Sequence, residues 1–520
     1  VLPSFAQPRT IYDPLAMLDL LGASNMAPTI PNPSDAAAIQ MPSLPEGTQS
    51  PNSIEKPVEQ ITGPDATVSL PSLVDPQTGN LKFEENDHFV KGLGYDLTLT
   101  RFNSENTGAF GEGWDLNFYT ELRMYSKYDI GEVRVDGTQR AYVFVQDDPN
   151  AVITRYDGDP MVNYELNKGH YETAAGDTLT RISATEYQVV TKLGETFIYQ
   201  GYRAPWRNAN SPKEGKLLKR IDINGNAIAY DYDASGRLIS LTNQGRTLLI
   251  TYGSNGFISG MTDPMGQTVN FAYTGNKLST VTYPNGEIKT YEYSGTKITR
   301  YKTGGDDITF SYQDGKITKQ STPVGVQYTY TYTPGKTVVT NALGGWNSIT
   351  YDDKNILSRE ASNGDKTVYT YDQEGQLLTE NKNGTQISYT YDDQKRLSSK
   401  TDAFGRVSQF TYSEDGLDNM LTETTPYGTK TYAYDSNGNM NSEKDEKGKT
   451  THYTRNASGQ VTTQSTVDGA TITWTYDNYG NIITKVVDGY TTTYAYDLSG
   501  NLIKETAPSG VVTNFSYDAK

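Results

Sequence analysis

Cysteine is absent from all 520 residues, and histidine occurs only three times, at His88, His170 and His452. The first absence excludes disulfide staples, thiolate nucleophiles and thiolate metal sites. The second leaves no HExxH spacing for zinc hydrolysis, and there is no serine nucleophile elbow, so triad chemistry lacks its parts. Long apolar runs are missing too. The longest, "PLAMLDLLGA" at residues 14–23, is about half the length of a membrane-spanning helix and carries Asp19. Only 35% of the chain is hydrophobic, and 40 tyrosines supply much of that, so aliphatic core is scarce for this length. Positive charge is in deficit as well. A net charge of −17, spread along the chain, favours solubility and argues against binding nucleic acid. Nothing implies a cofactor.

What is abundant points to β-structure. Tyrosine suits half-buried sheet faces, and 48 glycines among many Thr, Asn and Asp residues supply turns. The chain divides into three regions. Residues 1–70, with "TIPNPSDAAAIQMPSLPEGTQSPNSIEKP", read as a Pro-rich N-terminal tether or plug, with a short amphipathic helix expected at Pro14 to Leu21. The chain opens at Val1 without a signal peptide, which fits a processed or excised piece. Residues 71–215 are β-rich but loosely repetitive, with strand alternation in "YDLTLTRF" and "RAYVFVQ". Between these, Gly108, Gly111 and Gly113 permit tight backbone and Phe110 and Trp114 supply anchors, the mixture of a structural corner.

Residues 216–520 carry about fifteen units of about 20 residues built on "YxYDxxGxL". The anchors are Tyr232, Tyr252, Tyr273, Tyr293, Tyr312, Tyr332, Tyr351, Tyr371, Tyr391, Tyr412, Tyr434, Tyr476, Tyr496 and Tyr517, with Arg455 taking one place in "HYTRNASGQV". A second turn lies in the other half of each unit, at Gly225, Gly245, Gly266 and their equivalents. Two turns leave two six-residue segments, so each unit is one β-hairpin. In "KTVYTYD", Thr367, Tyr369 and Tyr371 share one face; the following Asp caps a turn, and the Gly supplies its positive φ. Fifteen hairpins give about thirty strands in one antiparallel strip. A sheet that long must curl, and thirty strands enclose more volume than side chains fill, so the expected fold is an all-β strip winding into a hollow spiral shell. A β-solenoid or a propeller is the alternative.

The "YxYDxxGxL" run resembles the YD repeats, also called Rhs repeats, of bacterial polymorphic toxins, insecticidal toxin complex shells and teneurins. The stretch "VDPQTGNLKFEENDHFVKGLGYDLTLTRFNSENTGAFGEGWDLNF" resembles the segment that precedes such repeats, with matches that include Asp87, Arg101, Asn103, Gly111, Gly113 and Trp114. The resemblance implies a shell that encapsulates a C-terminal effector, in a bacterial secreted or cell-surface protein. The chain stops at "NFSYDAK", and its one "DPMG", Asp263 to Gly266, reads as a turn, so self-cleavage and toxicity are not carried over.

Other candidates for chemistry read as scaffold. Asp306 with Asp307, and Asp352 with Asp353, are neighbours that a strand points to opposite faces. Asp435, Asn437 and Asn439 resemble half a calcium loop, but the sixth place, which needs glycine, is Met440. Trp206, Trp346 and Trp474 fit packing better than a sugar site. The expectation is a non-enzymatic shell whose partner is an effector or the remainder of the same polypeptide, with self-association through sheet edges. The alternative is an extracellular adhesin or fibre subunit that binds glycans or its own copies.

Overall fold

A computed structural model describes residues 73–116, 121–124, 129–133, 139–146, 169–173, 176–183, 185–201, 212–467, 469 and 471–517. The tether, the helix expected at Pro14 to Leu21, and Trp206 lie outside these residues. The described residues form forty strands and no helix. Three of them, β1 (Glu84–Val90), β2 (Leu97–Gly108) and β3 (Gly111–Leu116), make a separate antiparallel sheet. The other thirty-seven form one long antiparallel strip.

The strip follows chain order, each strand pairing with its sequence neighbours, from β4 (Glu121–Met124) to the strand Val512–Asn514. It therefore begins upstream of residue 216, where the repeat frame starts. Strands make up more than half of residues 216–520, and there are thirty of them, the number that two strands per unit predicts. No ladder joins the two end strands among the described residues, so the strip is open. The head of β4 instead touches Lys216 through an isolated bridge.

The turns explain the repeat. Where Asp follows the anchor its Oδ1 accepts backbone N–H groups of the turn, as Asp372 does from Glu374 and Gln376 at 2.9 and 2.8 Å. The Gly of the turn then sits at positive φ and donates its N–H to the Asp carbonyl, as Gly375 does to Asp372. The "DPMG" stretch makes the same turn, with Gln267 donating to Asp263. Asp435 likewise receives the N–H groups of Asn437 and Asn439, so the half calcium loop is a capped turn.

Slight burial acts to raise the Asp233, Asp392 and Asp402 carboxyls, but backbone N–H donors and the arginine four residues on outweigh it and hold them below the usual range. A carboxyl lowered by folding stabilises above its unfolded pKa of about 4 and loses that contribution as pH falls through the folded value. The melting temperature is therefore expected to hold from neutral pH to about pH 5 and to drop below about pH 4. A flat profile down to pH 3 would remove these turns from the stability account.

Because consecutive strands pair antiparallel, the turns between them alternate between two rims. The turns after the anchors form one rim, and the second turns form the other. Contacts between rims join residues far apart in sequence. Lys192 pairs with Asp418 at 3.0 Å, Asn224 exchanges hydrogen bonds with Asn439, Asn226 donates to the Ser458 carbonyl, and Ser499 donates to Asp263 at 2.9 Å. The separations run from 215 to 236 residues, and in each contact the second-turn rim meets the rim of the turns after the anchors. The strip thus passes once round and stacks a second circuit on the first.

Candidate functional site

The chemistry of this fold is concentrated on the inner face of the wall. Strand alternation puts every other side chain there, and the first aromatic of most "YxY" units is the buried one: Tyr230, Tyr291, Tyr330, Tyr369, Tyr389, Phe410 and Trp474 are all buried, while Tyr432 and Tyr494 near the end of the strip are half-buried. The anchor two residues later is only half-buried and has another task. Its hydroxyl donates to a carbonyl 14 or 15 residues earlier, in the preceding hairpin. Tyr232, Tyr252, Tyr273, Tyr293, Tyr312, Tyr332, Tyr371, Tyr391, Tyr412, Tyr476 and Tyr517 do this at 2.6–2.9 Å. The acceptor is the apolar residue of "GxL", such as Leu377 for Tyr391.

Arg455 keeps this bond without a phenol, donating from Nε at 3.2 Å and Nη2 at 3.1 Å to the Met440 carbonyl. Tyr351 shares a hydrogen bond with Thr337 and reaches the Gln77 carbonyl. Tyr434 and Tyr496 hold the same register, opposite Met440 and Leu502. Burial pushes Tyr391, Tyr476 and Tyr496 up to about 12. A phenol raised by folding stabilises below its unfolded pKa of about 10, and that contribution is lost as pH rises through the folded value. Phenolate absorbance of these rings should thus appear near pH 12, with unfolding setting in above pH 10. Full ionisation near pH 10 in a still-folded protein would contradict the ladder.

The separate sheet sits against this face. Arg101 on β2 and Asp87 on β1 form a fully buried ion pair, with Nε 3.0 Å from Oδ2. Tyr283 donates to Asp87 and Arg101 donates to the Tyr291 hydroxyl, so the pair is tied to the wall. The guanidinium lies 4.5 Å from the Trp114 ring centroid, and Trp114 donates from Nε1 to the Tyr293 hydroxyl at 2.9 Å. Asn103 accepts from the Phe83 N–H and donates to the Leu81 carbonyl, fixing the approach to β1. At the β2–β3 corner, Gly111 has φ +91° and faces the Asn276 carbonyl, which leaves no room for a side chain; Gly113 also has positive φ. Every residue of the leading segment singled out from the sequence is brought to this docking surface or to the corner that shapes it.

The segment lies on the inside of the curve. Between Gln77, which meets Tyr351, and Tyr95, which meets Glu195, it spans fewer than twenty residues, at most roughly 65 Å of chain. Its contacts cover about fifteen strands, roughly 70 Å along the wall, so only a path inside the bend is short enough.

The character of the inner face changes where the segment ends. Under it, opposed residues are apolar: Tyr230 with Leu241, Phe271 with Val281, Tyr291 with Tyr301. Beyond it the aromatic faces a charge instead: Tyr369 with Glu380, Tyr389 with Lys400, Phe410 with Glu423, Tyr432 with Glu443, Trp474 with Lys485, Tyr494 with Glu505. The loop Lys91–Asp96 enters the seam between circuits, where the Lys91 N–H donates to the Ser499 carbonyl and Asn243 bonds Leu93 and Tyr95. A polar cleft of about 670 Å³ opens beside it, lined by Leu93, Gln244, Gln460, Trp474 and Tyr476 among others. Among the described residues no three His, Asp or Glu side chains converge as a metal site. His88 lies apart, buried with Nε2 2.9 Å from the Met261 carbonyl.

Three family descriptions match the chain: the teneurin YD-shell over residues 290–440, the RHS repeat over residues 434–471, and a domain of unknown function, DUF6531, over residues 72–144. No curated protein matches. Solved structures similar to this chain include the Photorhabdus luminescens Tc holotoxin pore carrying the TccC3 D651A mutation, at 12% identity and TM-score 0.45, with 81% of this chain and 27% of that one covered. Another is the crystal structure of TcdB2-TccC3, at 12% identity and TM-score 0.41, with 79% and 25% covered. The chain spans about a quarter of the length of those chains. Hairpin repeats, leading segment and family matches agree in order along the sequence, and the chain belongs to the YD/Rhs-repeat family.

Proposed function

We propose that the chain is the wall of a shell that encloses another polypeptide segment, an effector or a further part of the same polypeptide. The change in the inner face carries this reading. Its apolar half is covered by the chain's own leading segment, while the half that no described residue covers alternates aromatic rings with charges of both signs. A lumen facing only solvent has no use for aromatic rows, and one meant to seal on itself has no use for charges. Aromatic and charged rows together suit a polypeptide held inside without collapse onto the wall. The role is non-enzymatic and the site of action extracellular or cell-surface; no helix among the described residues is long and apolar enough to cross a membrane, which leaves strand-built spans untouched.

The test is a reporter peptide with a protease site, fused after Lys520 on a linker long enough to reach the lumen. Enclosure should slow cleavage at least tenfold against the free reporter, and Glu380→Lys with Glu423→Lys and Glu443→Lys should change that protection. Cleavage at the free rate would overturn enclosure. Expression of the chain alone should leave bacterial viable counts unchanged, and killing would overturn the non-enzymatic reading.

A further inference from the structure

The two circuits do not match turn for turn. Along the seam the first circuit presents four turns, at Gly194, Gly225, Gly245 and Gly266, and the second presents five, at Gly416, Gly438, Gly459, Gly480 and Gly500. The turn at Gly225 serves both Gly438 and Gly459, since Asn224 bonds Asn439 and Asn226 bonds the Ser458 carbonyl. Asp263, which heads the turn at Gly266, bonds Ser499. The turn at Gly480 meets the loop Lys91–Asp96 instead: a Cβ at Gly480 would run into Leu93, and one at Gly500 into Lys91. The loop thus fills a fifth place in the first circuit, and the polar cleft beside it is the part of that place left open.

The loop also ties the circuits together differently from the other contacts. The pairs at Asp418, Asn439, Ser458 and Asp263 are polar side-chain contacts, and no ladder joins the circuits among the described residues. There the Lys91 N–H on the Ser499 carbonyl, at 3.0 Å, is the one backbone-to-backbone hydrogen bond that crosses the seam. Arg246, 4% exposed, donates to the Lys91 carbonyl at 2.7 Å and lies 4.3 Å from the Tyr479 ring centroid, so one side chain of the first circuit grips both the loop and the second circuit. Buried Asn243 holds Leu93 and Tyr95 from the first circuit, and buried Leu93 adds an apolar contact at Gly480. Polar contacts at the seam can be exchanged for water, whereas the ladders lie within each circuit and are untouched by its opening. We infer that the loop Lys91–Asp96 is the latch of the wall: seated, it locks the second circuit on the first, and released, it lets the circuits part along the seam while the hairpins stay folded. The latch belongs to the wall alone and works whatever the lumen contains.

Because the chain has no cysteine, a single introduced thiol reads opening at one place. Ser499→Cys reports at the loop, Asn439→Cys two turns away and Val339→Cys inside a hairpin, all at buried positions. Iodoacetamide labelling of the whole chain under native conditions should speed up by about tenfold or more at Ser499→Cys and Asn439→Cys when Leu93→Ser is added, and by less with the milder Leu93→Ala. The rate at Val339→Cys should stay within about threefold. Lys192→Ala removes the pair with Asp418 and spares the loop, so it should change either seam probe by no more than about threefold. Faster labelling at Ser499→Cys alone would make the loop's hold local. Equal acceleration at all three positions would mean that the circuits part only as the wall unfolds, and unchanged rates would leave the loop no role in the seam; each of these results overturns the proposal.

Discussion

Arg101→Met is expected to destabilise the fold by about 3–5 kcal/mol, the usual cost of removing one partner from a buried ion pair. Both side chains are fully buried, and Phe110, Trp114, Phe271 and Tyr291 surround the guanidinium. Desolvation works against the charged guanidinium, but Asp87 outweighs it and keeps the arginine protonated. Without Arg101 the Asp87 carboxylate keeps a hydrogen bond from Tyr283 and has no counter-charge. Asp87→Asn combined with Arg101→Met should recover much of the loss, because an uncharged pair of similar volume leaves no buried carboxylate without a counter-charge, and the introduced amide oxygen can still accept from Tyr283. Urea unfolding gives the two values, and proteolysis within β2 and β3 shows whether the sheet has come off the wall. A loss under 1 kcal/mol in the single variant would mean that the pair does not hold the sheet in place.

The hairpin frame was legible because it is a local code. Asp caps its own turn within four residues and Gly takes positive φ one place earlier, so "YDxxG" specifies a turn wherever it stands. Trp114 was legible as an anchor of a glycine-rich corner, but Arg101 and Asn103 were legible only through resemblance, since nothing in "TRFNSENTGAFGEGW" announces that its arginine will be buried. The start of the strip at β4 was not legible, because the strands before residue 216 lack the repeated turn. The seam was invisible for a related reason. Its contacts join residues more than two hundred apart, and no periodicity in the sequence marks where a circuit closes.

The polarity of the inner wall was hidden by one residue per hairpin. Strict alternation from Leu377, opposite Tyr371, would put Thr379 and Asn381 on the inner face. A register shift between Thr370 and Tyr371 instead sets Glu380 opposite Tyr369. The same bulge precedes the anchor in most hairpins, as at Tyr391, Tyr412 and Tyr476. A one-residue slip exchanges the two faces, so the charged rows read as outer until the bulge is known.

The bulge also separates two roles that the sequence merges in "YxY", and substitution should pull them apart. Tyr389 is buried and packs with Tyr369, Leu377 and Phe410, whereas Tyr391 is half-buried and donates to Leu377. Tyr389→Ala should therefore cost about 3 kcal/mol, as large aromatic truncations in a core do. Tyr391→Phe keeps the ring and loses one hydrogen bond, for about 1 kcal/mol. At Arg455, changing to Tyr should be near neutral, because a phenol there restores the donor used in the other hairpins; changing to Met should cost more, because the Met440 carbonyl loses both guanidinium donors. Urea midpoints of the four variants decide the matter. If Tyr391→Phe cost as much as Tyr389→Ala, burial and bonding would not be divided between the two aromatics. If Arg455→Met cost no more than Arg455→Tyr, the hydrogen-bonded ladder would not be what binds one hairpin to the next.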